Sequence, residues 1–252
     1  SCHNDGGHDG RVWDLTSQGE GLRNTANLRG RAGAQGFLHW SNNFDEVQDF
    51  EGQIRKLAGG TGLMSEAQFN AGTRSLPLGD KKAGLSAELD ALAAYVGSLT
   101  TVAPSPFRPD AGGLSPAAAL GKTVFQAANC ASCHAGAAFT VSALGGGART
   151  VGTIVPSSGL RLGEPLTGLD VPTLRGVGST GPYLHDGRAS TLAAAVQAHA
   201  GNAVAGTDLG NLVAYLQQLD DEEPVPEGNY RLVAVHSGLV LDIAGQSTAN
   251  DA

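Results

Sequence analysis

The pentapeptide Cys-Ala-Ser-Cys-His at residues 130–134 constrains this chain more than any other segment. C-x-x-C-H is the attachment signature of c-type haem: two thiols bond to the porphyrin and the histidine binds iron. One turn of backbone must then present Cys130, Cys133 and His134 to a single rigid ring. A redox dithiol would need a βαβ pattern, and a zinc site would need a second Cys/His pair. The sequence offers neither context, so the motif predicts covalent haem.

The third cysteine of the chain, Cys2, is also followed by a histidine, His3. Ser1-Cys2-His3 has the form of the last three residues of a second C-x-S-C-H motif, whose first cysteine would precede residue 1. A haem held by a single thioether and a free cysteine are the alternatives. We expect two covalently bound c-type haems, called here haem 1 (at Cys2 and His3) and haem 2 (at residues 130–134).

Composition limits the other classes of function. A length of 252 residues allows about two domains. The net charge of −8 argues against nucleic acid and is compatible with a basic redox partner. No apolar run approaches the ~20 residues of a membrane span. Because haem is attached to C-x-x-C-H outside the cytoplasm, we expect a periplasmic or extracellular protein.

An internal repeat relates the two Cys-His motifs. Leu-Arg-Gly at 28–30 recurs at 174–176, and Leu-His at 38–39 recurs at 184–185. Leu-x-Ala-Tyr at 92–95, followed by Leu99, recurs at 212–215, followed by Leu219. A period this long predicts two tandem domains rather than a solenoid.

Capping residues and apolar spacing predict the main helices. Ser86 and Ser115 are expected N-caps of helices over 86–99 and 115–127, and further helices are expected over 191–200 and 209–219. In the second of these helices, Leu120 and Val124 are expected on the buried face. Residues 230–235 and 239–243 alternate as two strands of a hairpin.

The second half resembles the bacterial di-haem cytochrome c peroxidase/MauG superfamily in the order of its motifs. After C-x-x-C-H come Val-Pro-Thr-Leu-Arg-Gly at 171–176 and Gly-Pro-Tyr-Leu-His-Asp-Gly at 181–187. The first half, with Arg-Asn-Thr at 23–25, looks like a divergent copy. The resemblance implies a mainly α fold of two tandem cytochrome c-like helical domains with long Gly-rich loops, plus a short C-terminal β segment. The expected boundaries are 1–103 and 112–222 for the two domains, 104–111 for the linker and 223–252 for the β segment.

Residues 229–252 resemble the opening of a ricin-type β-trefoil lectin domain, through Ser-Gly at 237–238 and Leu-Asp-Ile at 241–243. This resemblance implies carbohydrate binding, with Asp242 as the acceptor for a sugar hydroxyl.

The sixth ligand of each iron bears most directly on function. A cytochrome c domain generally takes it from a loop or helix well after the Cys-His pair. At that spacing the candidate for haem 2 is His199, with His185 as its rival. The candidate for haem 1 is Met64, the only methionine, with His39 as its main rival and His8 as a weaker one.

Other polar and aromatic residues are candidates for supporting roles. Arg29 and Arg175 occupy equivalent repeat positions, where each could pair a haem propionate or simply be solvated. Trp13 and Trp40 could lie between the haems or pack in the core. An acidic cluster suits a calcium site, a peroxidatic acid/base group or a solvated face; its members are Asp45, Glu46, Asp49 and Glu51.

Three functions remain open at this point. The first is electron transfer through two six-coordinate haems, in which Met64 ligation would give haem 1 the higher potential. The second is a peroxidase-like haem oxidoreductase that reduces hydrogen peroxide. The third is a carbohydrate-binding secreted protein that carries haem domains. We favour electron transfer, with a redox protein or further haems as partners.

Overall fold

The computed structural model describes residues 2–30, 36–57, 59–142 and 147–221, together with strand residues 232–233 and 240–241. Its α-helices are α1 (Glu51–Lys56), α2 (Glu66–Phe69), α3 (Ala87–Ser98), α4 (Pro116–Ala127), α5 (Leu192–Gln197) and α6 (Gly206–Gln217). Its strands are β1 (Val12–Asp14), β2 (Leu22–Asn24), β3 (Leu160–Arg161), β4 (Glu164–Pro165), β5 (Leu232–Val233) and β6 (Val240–Leu241). The strands pair in sequence as three antiparallel two-stranded sheets. No helix in the described ranges is long and apolar enough to cross a membrane.

Helix α4 begins where its capping residue predicts, because the Ser115 hydroxyl accepts a hydrogen bond from the Ala118 N–H at 3.3 Å. Its buried face differs from the predicted one. Leu120 is 59% exposed, whereas Ala118, Gly121 and Phe125 are buried. The reason is the close approach of α6: a Cβ added at Gly121 would lie 1.9 Å from the Asn211 carbonyl oxygen.

The core of the second half lies between α4 and α6. The apolar stripe predicted for α6 is largely confirmed, since Leu212, Leu216 and Leu219 are buried. Tyr215 joins them, with its ring centroid 5.6 Å from that of Phe125. Each fully buried side chain of this size contributes about 1.5–3 kcal/mol. This helix pair fixes the end of α4, where the C-x-x-C-H turn begins.

The first half has a smaller core, formed by Leu38, Phe44 and Val47. Helix α3 packs Leu92 and Val96 against it. The predicted N-cap of α3 is confirmed by the Ser86 hydroxyl, which accepts from the Leu89 N–H at 3.3 Å.

Two equivalent backbone contacts support the internal repeat. The Gly30 N–H donates to the Leu99 carbonyl at 3.1 Å, and the Gly176 N–H donates to the Leu219 carbonyl at 2.6 Å. Both glycines have positive φ, +79° and +71°, a conformation that costs other residues more. Each Leu-Arg-Gly segment is thus fastened to the end of the last helix of its own half.

The repeat of Leu38-His39 at Leu184-His185 is displaced by one residue in the structure. In each half an antiparallel bridge closes a turn, and the bridged pairs are Leu38 with Phe44 and Tyr183 with Ala189. His39 and Leu184 occupy the same place in these turns, with φ of +65° and +69°. The structural equivalent of His185 is therefore Trp40. Backbone hydrogen bonding, rather than residue type, sets this register.

Polar contacts join the two halves. The Arg23 guanidinium donates to the carbonyl oxygens of Ser158 at 2.7 Å and Leu160 at 3.2 Å. The Asn24 N–H donates to the His185 carbonyl at 2.5 Å. Strand β2 of the first half thus lies against loops of the second.

The predicted C-terminal hairpin is present as β5 and β6, with Leu232 opposite Leu241 and Val233 opposite Val240. Asp242 lies outside the described residues. The proposed sugar-binding role of Asp242 therefore remains a prediction from sequence.

Candidate haem-binding sites

The motif of haem 2 forms a tight turn at the end of α4. Asn129, with φ of +58°, redirects the chain into a 3₁₀ turn at Cys130–Ser132. The His134 N–H closes this turn on the Cys130 carbonyl at 2.9 Å. Cys130 and Cys133 are free, partly buried thiols, and burial raises the pKa of Cys130. One turn therefore presents two thiols and an imidazole together.

His134 is held with one ring nitrogen occupied. Its Nδ1 lies 3.2 Å from the Phe139 carbonyl oxygen. Burial, reinforced by the neighbouring His199, lowers the pKa of His134 to about 4, although the carbonyls of Phe139 and Pro172 oppose the shift. A neutral ring with Nδ1 bonded to the backbone leaves Nε2 free for a metal.

His199 follows α5, the helix capped by the Thr191 hydroxyl. Its Nδ1 lies 2.9 Å from the Ala195 carbonyl oxygen. The next residue, Ala200, donates its N–H to the Val151 carbonyl at 2.7 Å, which anchors this part of the chain. His199 is near enough to His134 for its charge to contribute to lowering the pKa of His134.

His185, the rival ligand, occupies a different environment. It is 1% exposed, and its Nε2 lies 2.6 Å from the Ser158 hydroxyl. Burial lowers the pKa of His185 to about 4; the carboxylate of Asp186 opposes this shift and the guanidinium of Arg23 adds to it. Its ring lies 6.4 Å from that of Trp40, at the junction of the two halves. These contacts favour His199 over His185 at haem 2.

His3 bonds to the backbone as His134 does, although it is exposed and His134 is partly buried. Its Nδ1 lies 3.3 Å from the Gly7 carbonyl oxygen. Burial lowers the pKa of His3; the carbonyls of Gly7 and Ala26 oppose the shift, and His39 adds to it. Ala26 in the first half thus corresponds to Pro172 in the second. Two charged groups act on His3: Asp9, which raises its pKa, and His39, which has the smaller effect and lowers it.

Two phenylalanine rings pack against His39. Its ring centroid lies 4.6 Å from that of Phe44 and 4.9 Å from that of Phe50. These two rings are in contact with each other, so they lie on the same side of His39. The Nδ1 atom of His39 lies 3.4 Å from Glu20 Oε1.

Glu20 was not identified from the sequence, because a single glutamate between two glycines carries no recognisable pattern. Its buried carboxylate accepts hydrogen bonds from Arg23 Nε at 2.9 Å, Ser41 Oγ at 3.0 Å and Asn43 Nδ2 at 2.6 Å. Burial alone would raise the pKa of Glu20, but His39 and Arg23 more than offset it, and the pKa is lowered. The carboxylate therefore remains ionised near neutral pH.

The other candidates for haem 1 have different partners. Met64 is buried; its N–H donates to Glu51 Oε1 at 3.0 Å and its carbonyl accepts from Arg55. His8 lies with Nε2 3.1 Å from the Ser179 carbonyl oxygen. Ligation by Met64 remains a prediction, and so does ligation by its rival His39.

Arg29 and Arg175 bind backbone carbonyls a few residues after His3 and His134. Arg29 donates to the Asp5 carbonyl, and Arg175 Nε donates to the Ala137 carbonyl at 2.5 Å. Both side chains thus tie down equivalent loops, and pairing with a propionate remains a prediction.

The two tryptophans differ in position. Trp13 is 40% exposed and donates to Asp9 Oδ2 at 3.1 Å. Trp40 lies at the junction of the halves and donates to the Asn24 carbonyl at 2.8 Å. Trp40 is therefore the better placed of the two to contact both haem domains.

The acidic cluster mostly stabilises its own surroundings. Asp49 forms a buried ion pair with Lys82 at 2.5 Å. Glu46 accepts from the Lys82 N–H at 2.5 Å, and Glu51 pairs with Arg55 at 2.7 Å. In the part of the chain that the structure describes, no group of three or more His, Cys, Asp or Glu could hold a metal ion. Calcium remains a prediction.

The second half, in which one turn presents two thiols and an imidazole, resembles known proteins. Residues 118–223 match the cytochrome c family. That match implies covalently bound haem c, and the donor set of Cys130, Cys133, His134 and His199 fits such a group. The ricin-type resemblance of residues 229–252 finds no support in the comparisons.

Similarity extends beyond the matched segment. The chain is 28% identical over 263 residues to hydrazine synthase subunit gamma of Kuenenia stuttgartiensis, covering 89% of this chain and 69% of that protein. A structure of Kuenenia stuttgartiensis hydrazine synthase matches with a TM-score of 0.54 and 24% identity, over 85% of this chain and 78% of the other. A MauG-like protein associated with microbial copper homeostasis matches with a TM-score of 0.58 and 18% identity, over 88% and 81%. These matches support a cytochrome c/MauG-like fold across both halves.

Proposed function

We propose that the chain is a di-haem c-type cytochrome that transfers electrons in the periplasm or outside the cell. The proposal is supported by the tight C-x-x-C-H turn, in which Nδ1 of His134 bonds to the backbone, and by a further histidine in each half, His39 or His199, whose charge acts on His3 or His134. If His39 and His199 served as the second ligands of the two haems, neither haem would have an open position for a substrate. Bound haem supplies a one-electron couple, and such a closed site favours electron transfer over chemistry at the metal.

The protein contributes the fixed orientation of these rings. Backbone carbonyls occupy Nδ1 of His3, His134 and His199. Phe44 and Phe50 pack against His39. Histidine rings held in one orientation would limit the structural rearrangement of the site when the charge of the haem changes. The same contacts leave Nε2 of each of the three as the nitrogen for ligation.

The partner and the compartment are part of the proposal. Haem attachment at C-x-x-C-H supports an exported protein. The net charge of −8 would attract a basic redox partner through long-range electrostatics.

A peroxidase-like oxidoreductase is the second candidate, and one observation favours it. A surface pocket is lined by Glu20, Asn43 and Phe44, which lie around His39. A small molecule entering there would approach the Glu20–His39 pair, which could serve in acid–base chemistry. The 28% identical relative is a subunit of an enzyme, hydrazine synthase, which also supports the catalytic alternative.

Peroxide turnover separates the two candidates. The full-length, haem-loaded protein would be half-reduced and mixed with hydrogen peroxide, with loss of peroxide followed against a haem-free control. Electron transfer predicts no loss beyond the control rate. Catalytic loss that disappears in a His39→Ala variant would instead support the peroxidase-like function.

A further inference from the structure

The carboxylate of Glu20 has no role in the electron transfer proposed above. It is 4% exposed and lies beside His39. It accepts hydrogen bonds from three side chains, those of Arg23, Ser41 and Asn43. A buried carboxylate is costly unless it is paired and hydrogen-bonded. These three donors fix its position, and Oε1 lies 3.4 Å from His39 Nδ1.

The Nδ1 atom of His39 has no well-directed hydrogen bond among the described residues. It is nonetheless within ion-pair distance of Glu20 Oε1. Fixing the opposite nitrogen, Nε2, on a metal would hold the ring and leave Nδ1–H directed at the carboxylate. When His39 acts as a ligand, its Nδ1–H would thus donate a hydrogen bond to the buried carboxylate of Glu20.

We infer that Glu20 is a positioning residue for haem 1: it orients His39 and increases its electron donation to iron. This inference rests on the proposed ligation of haem 1 by His39. A histidine that donates its second N–H to a carboxylate is a more basic ligand than one that donates to a neutral acceptor. More electron donation stabilises the ferric state and lowers the reduction potential.

The two halves differ in this respect. His199 donates from Nδ1 to the neutral carbonyl of Ala195, whereas His39 faces a carboxylate. Haem 1 therefore has the lower potential of the pair. Ligation by Met64 would give the opposite order, since thioether ligation raises the potential.

The position of Glu20 also depends on the second half. Arg23, which binds Glu20 through Nε, uses its Nη1 for the Ser158 carbonyl. Because that carbonyl lies in the second half, the interface between the halves holds the carboxylate against the ligand of haem 1.

The test is potentiometric titration of the full-length, haem-loaded protein with Glu20→Gln. Removing the charge while keeping the shape should move the midpoint potential of haem 1 to a more positive value and leave haem 2 unmoved. The matched control is Glu66→Gln, which removes one charge from the same half at an exposed side chain. That control should move neither haem.

Two further variants keep the outcomes distinct. If Glu20→Gln does not fold, Glu20→Asp withdraws the carboxylate by one methylene, and the expected shift of haem 1 has the same sign but is smaller. An unmoved haem 1 in a folded Glu20 variant overturns the inference about Glu20. If His39→Ala leaves haem 1 low-spin, His39 is not the ligand and the proposed ligation itself is wrong.

Discussion

His134 and His199 are held alike, because each has Nδ1 near a backbone carbonyl, of Phe139 at 3.2 Å and of Ala195 at 2.9 Å. In the proposed ligation, Nε2 of each ring would therefore bind the iron of haem 2. Both histidines sit at the end of a short helical element, so backbone geometry alone orients them.

Replacing His199 by Gly should convert haem 2 from low spin to high spin, because the sixth position would open to water. The optical and EPR spectra of the ferric protein measure this change. His8→Gly is the control, since His8 binds the Ser179 carbonyl and should leave both spectra intact. An unchanged spectrum in the His199 variant would mean that another residue is the ligand.

The double substitution Cys130→Ala and Cys133→Ala should remove the covalent haem from the second half. The mass of the denatured protein should then fall by one haem. Cys2→Ala should likewise impair the attachment of haem 1, because it removes the thiol beside His3. A full-length protein that carries one covalent haem before any substitution would contradict the two-haem prediction.

Gly121→Val should destabilise the second half, because its Cβ would meet the Asn211 carbonyl oxygen at 1.9 Å. We expect a loss of about 3 kcal/mol in the free energy of unfolding, the upper part of the range for overpacked cores. Denaturant titration measures it. The control is Gly97→Ala in α3, where an added Cβ has no atom within 4 Å and should stabilise by about 0.5–1 kcal/mol. Equal effects at the two positions would contradict the packing described for α4 and α6.

Buried His185 should make stability depend on pH. Its pKa is about 4 when folded, against 6.5 for an unperturbed histidine, so between these values the unfolded chain binds a proton that the folded chain does not. Stability is therefore highest above about pH 6.5, falls as pH drops to about 4 and then levels off, a loss of about 3 kcal/mol. The groups facing this ring are Asp186, Arg23, Arg188 and the Ser158 hydroxyl.

Comparison with His185→Gln isolates this contribution from that of other titrating groups. Unfolding free energies measured from pH 4 to 7 should fall less steeply for the variant than for the wild type. Parallel curves would show that folding does not lower the pKa of His185.

Local sequence rules predicted α3, α4, α5 and α6, but not the short helices α1 and α2. Ser86 and Ser115 cap α3 and α4 because a serine hydroxyl satisfies a free N–H at a helix start. The predicted burial of Leu120 was wrong. Apolar periodicity does not show that two helices can approach more closely at a glycine than at a leucine. Gly121 admits the backbone of α6, and Leu120 is left in solvent.

Contacts between distant segments were harder to predict. The motif predicted the turn around His134, and sequence spacing predicted His199 as a ligand, because both signals are local or one-dimensional. The Glu20–His39 pair arises from a positive-φ turn and a buried polar cluster, which no periodicity encodes. The repeat was recognised correctly at Gly30 and Gly176, but residue identity misaligned His39 by one position, since only the hydrogen-bond register defines its place.

The EPR spectrum of the fully oxidised, full-length protein tests the central claim most directly. With an imidazole on both faces of each haem, we expect two low-spin ferric signals of equal integrated intensity and no high-spin signal. A high-spin signal that accounts for one of the two haems would contradict closed histidine pairs and would support a site open to substrate.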